Sequence, residues 1–262
     1  MKYVSCRSTG LFAAACFALA ACKAEEEETV TSNAPDVSIA ALGQTTWPDG
    51  VSEERIAGTD PFAENNLIVL DMSGSMDSLS CSGKYDSREE AAKEALFTWL
   101  SANPGDNVGL VSFSQAGIAL DSQLGRGEAH TQELISNIKA LRADGGTPLR
   151  SAMEKARIEL EGQAARQGGL GAYRMIVITD GEASSNENPV SLVKEIADNP
   201  ANMIEIHTIG FCINKGHPLN DPGRIFYTNA MSPDDLRAGL NATQGEAASF
   251  DPSTETFEEL TR

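Results

Sequence analysis

Basic residues are scarce in this chain: 20 Lys and Arg stand against 38 Asp and Glu, a formal net charge of −18. A surface so acidic is repelled by nucleic acid and by anionic lipid head groups, and it attracts cations and basic partners instead. Long apolar runs are also wanting. Residues 10–21 are apolar and Ala-rich, but a bilayer-spanning helix needs ~20 such residues. No later stretch is apolar enough to span a membrane. The histidines number three, His130, His207 and His217, at spacings that make no zinc-ligand set. A Gly-x4-Gly-Lys-Ser/Thr phosphate loop and a Gly-x-Ser-x-Gly nucleophile elbow are both absent. With them go common signatures of nucleotide binding and acyl transfer.

What is present begins with a short basic region, Lys2 and Arg7, ahead of the apolar stretch. Together they read as a removable export leader over 1–21. Leu19-Ala20-Ala21-Cys22 resembles a bacterial lipobox, which implies cleavage before Cys22 and a lipid on its thiol. Lys23, rather than Asp, follows; in Gram-negative lipoproteins that resembles an outer-membrane destination, facing the periplasm or the surface. Residues 22–61 open on the acidic run Glu25–Glu28 and then mix Ser, Thr, Asn, Pro and Gly without periodicity. Such composition buries too little apolar surface to order itself and reads as a tether. Trp47 and Ile56 are exceptions, suited to packing on a neighbouring domain. Asn241-Ala242-Thr243 matches a glycosylation acceptor, a match without meaning beside a bacterial lipobox.

Periodicity resumes at about residue 61 and continues to the end, so 62–262 is expected to be one domain with a substantial core. Strands are predicted at 67–71, 108–113, 117–120, 175–179, 203–211 and 248–250. Helices are predicted at 88–100, 131–141, 149–165, 189–198, 233–240 and 254–260. In the first helix, Ala91, Ala92, Ala95, Leu96, Trp99 and Leu100 line one face. Ser87 with Glu90 suits a capping box at its start. Strands alternating with helices predict an α/β fold: a doubly wound, mainly parallel sheet with helices on both faces.

Asp71-Met72-Ser73-Gly74-Ser75 follows the apolar run Leu67-Ile68-Val69-Leu70. A carboxylate and two hydroxyls are thus delivered at alternate positions where a buried strand ends. Open parallel sheets bind ligands at that end of their strands, and oxygen-only groups suit a hard divalent cation. Gly145-Gly146-Thr147-Pro148 before a helix, and Thr179-Asp180-Gly181 after a strand, are built for the same spot. Each has a duller role. Thr147 suits a helix N-cap with proline at the first helical position; Ser73, Ser75 and Asp180-Gly181 suit turns. Asp71 does not, because a carboxylate ending an apolar strand must be paired, protonated or metal-bound.

Asp71, Ser73, Ser75, Thr147 and Asp180 resemble, in order and spacing, the metal-ion-dependent adhesion site of von Willebrand factor A domains, and none of the five departs from the pattern. The resemblance extends over nearly all of 62–262. It implies Mg²⁺, with Mn²⁺ or Ca²⁺ as alternatives, and a protein partner that offers an Asp or Glu to the ion. It also implies binding rather than catalysis. Both carboxylates are expected at the surface edge of the sheet, with Glu182 close enough to assist.

Two alternatives stay open. One is a Mg²⁺-dependent phosphohydrolase with Asp71 as nucleophile; phosphatases that place an Asp at the end of the first strand carry a second Asp two residues on, and here that residue is Ser73, a hydroxyl without an adjacent base. The other is a scaffold with an empty site. Cys6 and Cys16 depart with the leader and Cys22 is acylated, which leaves Cys81 and Cys212 as a candidate disulfide in an oxidising compartment, or as two free buried thiols. The loop of about 130 residues that the bond closes would remove up to ~5 kcal/mol of unfolded-chain entropy. Residues 212–223, rich in Asn, Gly and Pro, form a candidate specificity loop beside the site.

Overall fold

Side-chain alternation builds the centre of the molecule. In strand β1 (Glu64–Asp71), Leu67 and Val69 join the apolar cluster on one face while Ile68 and Leu70 join the cluster on the other, and all four are fully buried. A strand apolar on both faces needs cover on both, the condition of an internal parallel strand. The computed structural model describes residues 47–48, 60–213 and 216–245. The leader 1–21, Cys22, all of the tether except Trp47, Pro48 and its last residues, the expected strand at 248–250 and the expected helix at 254–260 lie outside the described residues.

Strands β2 (Asn107–Ser114), β3 (Gly117–Gly125), β4 (Ala172–Thr179), β5 (Ile204–Phe211) and β6 (Phe226–Ala230) complete a sheet of order β3-β2-β1-β4-β5-β6. Every pairing is parallel except β2 with β3. Helices α1 (Arg88–Ala102), α2 (Glu128–Ala140) and α5 (Pro233–Ala242) supply the core of one face. Helices α3 (Leu149–Gln167) and α4 (Val190–Ala197) supply the other. The sheet is therefore mixed but mainly parallel and doubly wound, as the alternation of elements predicts.

Two strands depart from expectation. β3 runs to Gly125, longer than predicted and antiparallel, a half-exposed edge whose alternation is diluted by polar residues on its outer side. β6 was not anticipated: Phe226-Tyr227-Thr228-Asn229-Ala230 is short, and Phe226 is 61% exposed, so the run carries little hydrophobic signal. Ser87 caps α1 by accepting from the Glu90 amide at 3.1 Å, but the Glu90 carboxylate reaches back to the amide of Asp86 rather than that of Ser87. Trp47 packs edge-on against Tyr173, ring centroids 5.2 Å apart, so this part of the tether lies on the domain. No helix among the described residues is long and apolar enough to cross a membrane.

The strand order places the site. From β1 the chain builds β2 and β3 on one side, then returns to build β4, β5 and β6 on the other. β1 and β4 are neighbours whose onward connections diverge, and the crevice between their carboxyl ends is the topological switch point where ligands bind. Asp71 ends β1 and Thr179-Asp180 ends β4.

Candidate metal centre

Beyond Asp71 the chain turns through a short 3-10 segment, Gly74–Asp77, and the turn folds its donors together. Asp71 Oδ1 accepts from the amide of Ser73 at 2.8 Å, and Asp71 Oδ2 accepts from the Thr179 hydroxyl at 2.6 Å. The Ser73 and Ser75 hydroxyls are 3.0 Å apart, and Ser75 donates to Asp180 Oδ1 at 2.6 Å. Four of the five predicted donors thus lie on one continuous hydrogen-bonded path from β1 to β4. Thr147 comes from a third segment, held against the first where the Gly74 amide donates to the Gly145 carbonyl at 3.0 Å.

Thr147 is not a helix cap. The cap position of α3 is Pro148, with no side-chain bond to the first turn. Glu187 supplies that bond instead, accepting from both the amide and the hydroxyl of Ser151 at 2.9 Å. Thr147 itself is clasped by Ser184: its amide donates to the Ser184 hydroxyl and its carbonyl accepts from the Ser184 amide, each at 2.9 Å. The capping role open to Thr147 in the sequence is therefore taken by another residue.

The carboxylates are more deeply placed than expected. Asp71 is fully buried and the Asp180 side chain is 0% exposed, whereas Ser75 and Gly74 are exposed. The site is a buried acidic floor with one open side. Burial pushes the Asp71 carboxyl up to about 6, with the Asp180 charge adding to the rise, while bonds from Ser73 and Thr179 oppose it. A cation at this point would reverse the balance by favouring the ionised form. Among the described residues no group of three or more His, Cys, Asp and Glu could hold a metal; this site has two carboxylates and would rely on hydroxyls for its remaining donors. That donor chemistry suits Mg²⁺, which takes few carboxylates and keeps several waters.

Arg88 is an unforeseen member. Its Nη1 lies 2.6 Å from Asp180 Oδ2, and its Nε donates to the carbonyl of Ser80 at 2.9 Å. A signal was legible: Arg88 is the first residue of α1, where the helix dipole disfavours a cation. Glu89 was missed too. It accepts from the Ala143 amide at 2.7 Å and pairs with Lys93 at 2.5 Å, anchoring the chain just before Gly145. As an i,i+4 pair it carries no sequence mark of that task.

Cys81 and Cys212 are joined, with Cα atoms 5.8 Å apart and a sequence separation of 131. The bond ties the loop before α1 to the loop after β5. Beside it a cleft of about 300 Å³ is lined by Asp180, Gly181, Glu182, Cys212 and His217. His217 Nδ1 accepts from the Leu219 amide, so Nε2 carries the proton donated to the Gly181 carbonyl at 3.0 Å. Burial lowers the pKa of His217. The loop expected to be a specificity element thus meets the segment bearing Asp180.

No curated protein matches the chain. Solved structures do. The pilus adhesin SpaC from Lactobacillus rhamnosus GG aligns at 18% identity and TM-score 0.54 over 70% of this chain and 30% of its own. The SpRpn10 VWA domain aligns at 20% identity and TM-score 0.51 over 68% of this chain and 94% of its own. The PilB minor pilin from Streptococcus sanguinis aligns at 14% identity and TM-score 0.55 over 74% and 64%. At these identities the likeness is one of fold. The family model for the von Willebrand factor type A domain matches residues 67–182, a span that holds all five predicted donors, so this stretch is similar in sequence to that family.

Proposed function

We propose that this is a lipid-anchored envelope protein whose von Willebrand factor A domain binds a divalent cation and, through it, an Asp or Glu of a protein partner. Asp71, Ser73, Ser75, Thr147 and Asp180 would hold the ion, Mg²⁺ first, with Mn²⁺ or Ca²⁺ as alternatives. Cys22 would carry the lipid, in the outer membrane rather than the inner. The observation that carries the reading is the hydrogen-bonded path Thr179–Asp71–Ser73–Ser75–Asp180, whose side-chain groups are all oxygen donors, closed across the switch point of the sheet.

When bound, the ion supplies an electrophilic position that a partner's carboxylate completes. The chain's own residues prepare that position. Asp71 and Asp180 provide two negative charges against a divalent ion, and neutral hydroxyls leave the site short of anionic ligands. Thr179 and the Ser73 amide fix the Asp71 carboxylate so that little reorganisation accompanies loading. Ser75, exposed, marks the side from which a partner approaches. Adhesion, assembly and surface organisation all use such capture, and the pilus adhesin and minor pilin among the structural neighbours agree with them.

A phosphohydrolase fits less well. Ser73 occupies the place of the general acid, and a serine hydroxyl, which meets Ser75 at 3.0 Å, is a poor proton donor and acceptor for that role. Binding is therefore the reading we adopt.

Thermal unfolding of the purified protein in EDTA, then with Mg²⁺, Mn²⁺ or Ca²⁺, tests it. An ion at 100 times its Kd should add ~2.7 kcal/mol to stability, and Asp71→Asn should remove that gain. No saturable shift with any ion would sink the metal-dependent reading.

A further inference from the structure

Arg88 stands where a bound ion would compete with it. Asp180 has two oxygens: Oδ1 accepts from Ser75 at 2.6 Å and Oδ2 meets the Arg88 guanidinium at 2.6 Å. The pair is deep, the Asp180 side chain being 0% exposed and that of Arg88 12%. Arg88 is also tethered from behind, through Nε to the Ser80 carbonyl and through its own amide to the Ser78 carbonyl, each at 2.9 Å. Its place in α1 is electrostatically poor, because a cation at a helix start opposes the macrodipole, and the two residues that follow, Glu89 and Glu90, are the favourable ones. Helix stability does not account for an arginine there. Asp180 does, since a buried carboxylate without a cation is costly.

We propose that Arg88 is a resident counter-cation of the metal centre: it holds Asp180 when no ion is bound, and it weakens ion binding because Asp180 cannot serve both fully. This rests on the metal-dependent reading above. Two consequences oppose each other, which makes them diagnostic. Without an ion, Arg88 stabilises the domain by neutralising a buried charge. With an ion, Arg88 must release or share Oδ2, so each loading event sacrifices a charge-assisted hydrogen bond. Removing Arg88 should therefore lower stability in EDTA and tighten metal binding at once. A residue with a merely structural role would lower both.

The test is Mn²⁺ titration of the purified wild type, Arg88→Gln and Arg88→Lys, with free Mn²⁺ followed by electron paramagnetic resonance, alongside thermal unfolding in EDTA. Arg88→Gln is expected to lower the melting temperature in EDTA and to bind Mn²⁺ about tenfold more tightly, the equilibrium equivalent of one displaced charge-assisted hydrogen bond. Arg88→Lys, which keeps a cation but loses the fork that grips both Asp180 and Ser80, should fall between, and it carries the test if the glutamine variant does not fold. Wild type binding Mn²⁺ while the variants bind no more tightly would overturn the competition and leave the metal site standing. Binding by neither wild type nor folded variants would overturn both. Binding by the variants alone would establish both, with Arg88 as the element that keeps the wild-type site closed to metal.

Discussion

The two ends of β1 each bury polar side chains, and they satisfy them in opposite ways. At the amino end, Asn65 donates to the carbonyls of Ala63 and Ala172 and to Gln167 Oε1, each at 2.9 Å, and accepts from Asn107 at 3.0 Å. Gln167 in turn donates to the Asp60 carbonyl at 2.8 Å. Around Asn65 these are neutral amides, each completing another; beside it the buried Asn66 donates to the Asp106 carboxylate at 2.9 Å and its Oδ1 has no hydrogen-bond partner among the described residues. At the carboxyl end, six residues on, Asp71 and Asp180 bring two charges into a buried floor, and Arg88 neutralises one. The Asn65 network carries no charge. The carboxyl end is left one positive charge short, and that deficit, rather than burial or polarity, is what separates a structural polar cluster from a candidate binding site.

The largest effect expected is on the brace over the carboxyl end. Replacing Cys81 and Cys212 together by Ser should cost up to ~5 kcal/mol on the chain-entropy account, read as a fall in the urea midpoint. If the contrast between the ends holds, the ion-induced stabilisation that remains should be diminished but present, because no donor is removed.

Asn65→Ala strikes the amino end. It leaves the Gln167 oxygen, two carbonyls and the Asn107 amide without their partner, at about 3 kcal/mol for buried groups so abandoned. Equilibrium unfolding should show that loss while the gain conferred by Mg²⁺ stays unchanged. A change in ion affinity would mean that the two ends are coupled along the strand and do not act separately.

Asp71→Asn inverts the pattern. It keeps shape and removes charge, so the metal-free protein should lose less than ~1 kcal/mol, since an ionised carboxylate is costly where Asp71 lies. The ~2.7 kcal/mol conferred by an ion at 100 times its Kd should vanish. An unfolded Asp71→Asn protein would show the residue to be structural, like Asn65.

Gly145→Ala tests whether position alone matters. Gly145 has φ +84, and a Cβ added there would lie 2.6 Å from the Gln115 amide nitrogen, which belongs to the backbone. The segment carrying Thr147 must shift, at ~2 kcal/mol for the strained conformation and contact. Ion affinity should fall about tenfold, equivalent to ~1.4 kcal/mol, although no donor has been touched. Unchanged affinity would free Thr147 of any role.

Much of this contrast was legible in the sequence, and unevenly. Asp71, Ser73, Ser75 and Asp180 were visible because a motif needs its donors adjacent in the chain or at strand ends, and the apolar runs 67–70 and 175–178 announced those ends. The fold class was visible for the same reason: strands apolar on both faces cannot be mistaken for surface hairpins. Glu89 and Glu187 were not, because each acts across a long sequence separation on a group whose position the fold alone decides; Arg88 was legible as a misplaced cation at a helix start, but not as the partner of Asp180. β6 was missed since an edge strand half in solvent carries little alternation. The depth of Asp71 was missed because a strand end looks exposed in one dimension, whereas the Gly74–Asp77 turn folds back over it. The amino-end network left no trace either: Asn65 and Asn66 lie ahead of the apolar run 67–70, and both are fully buried.

Ser73→Ala is the smallest perturbation and the most discriminating for charge against geometry. Ser73 holds the site in two ways: its amide positions Asp71 and its hydroxyl meets that of Ser75 at 3.0 Å. Substitution by Ala keeps the amide and removes only the hydroxyl. If the charge deficit is what makes the carboxyl end a binding site, Asp71 remains oriented, both carboxylates remain, and a water can take the vacated position on an ion that keeps waters readily. Affinity for Mg²⁺ should then fall by only about fivefold, near 1 kcal/mol, well short of the loss in Asp71→Asn, with metal-free stability unchanged. A loss in Ser73→Ala equal to that in Asp71→Asn would place the weight on the hydroxyl geometry. The difference between the two ends of β1 would then be one of donor arrangement, not of charge.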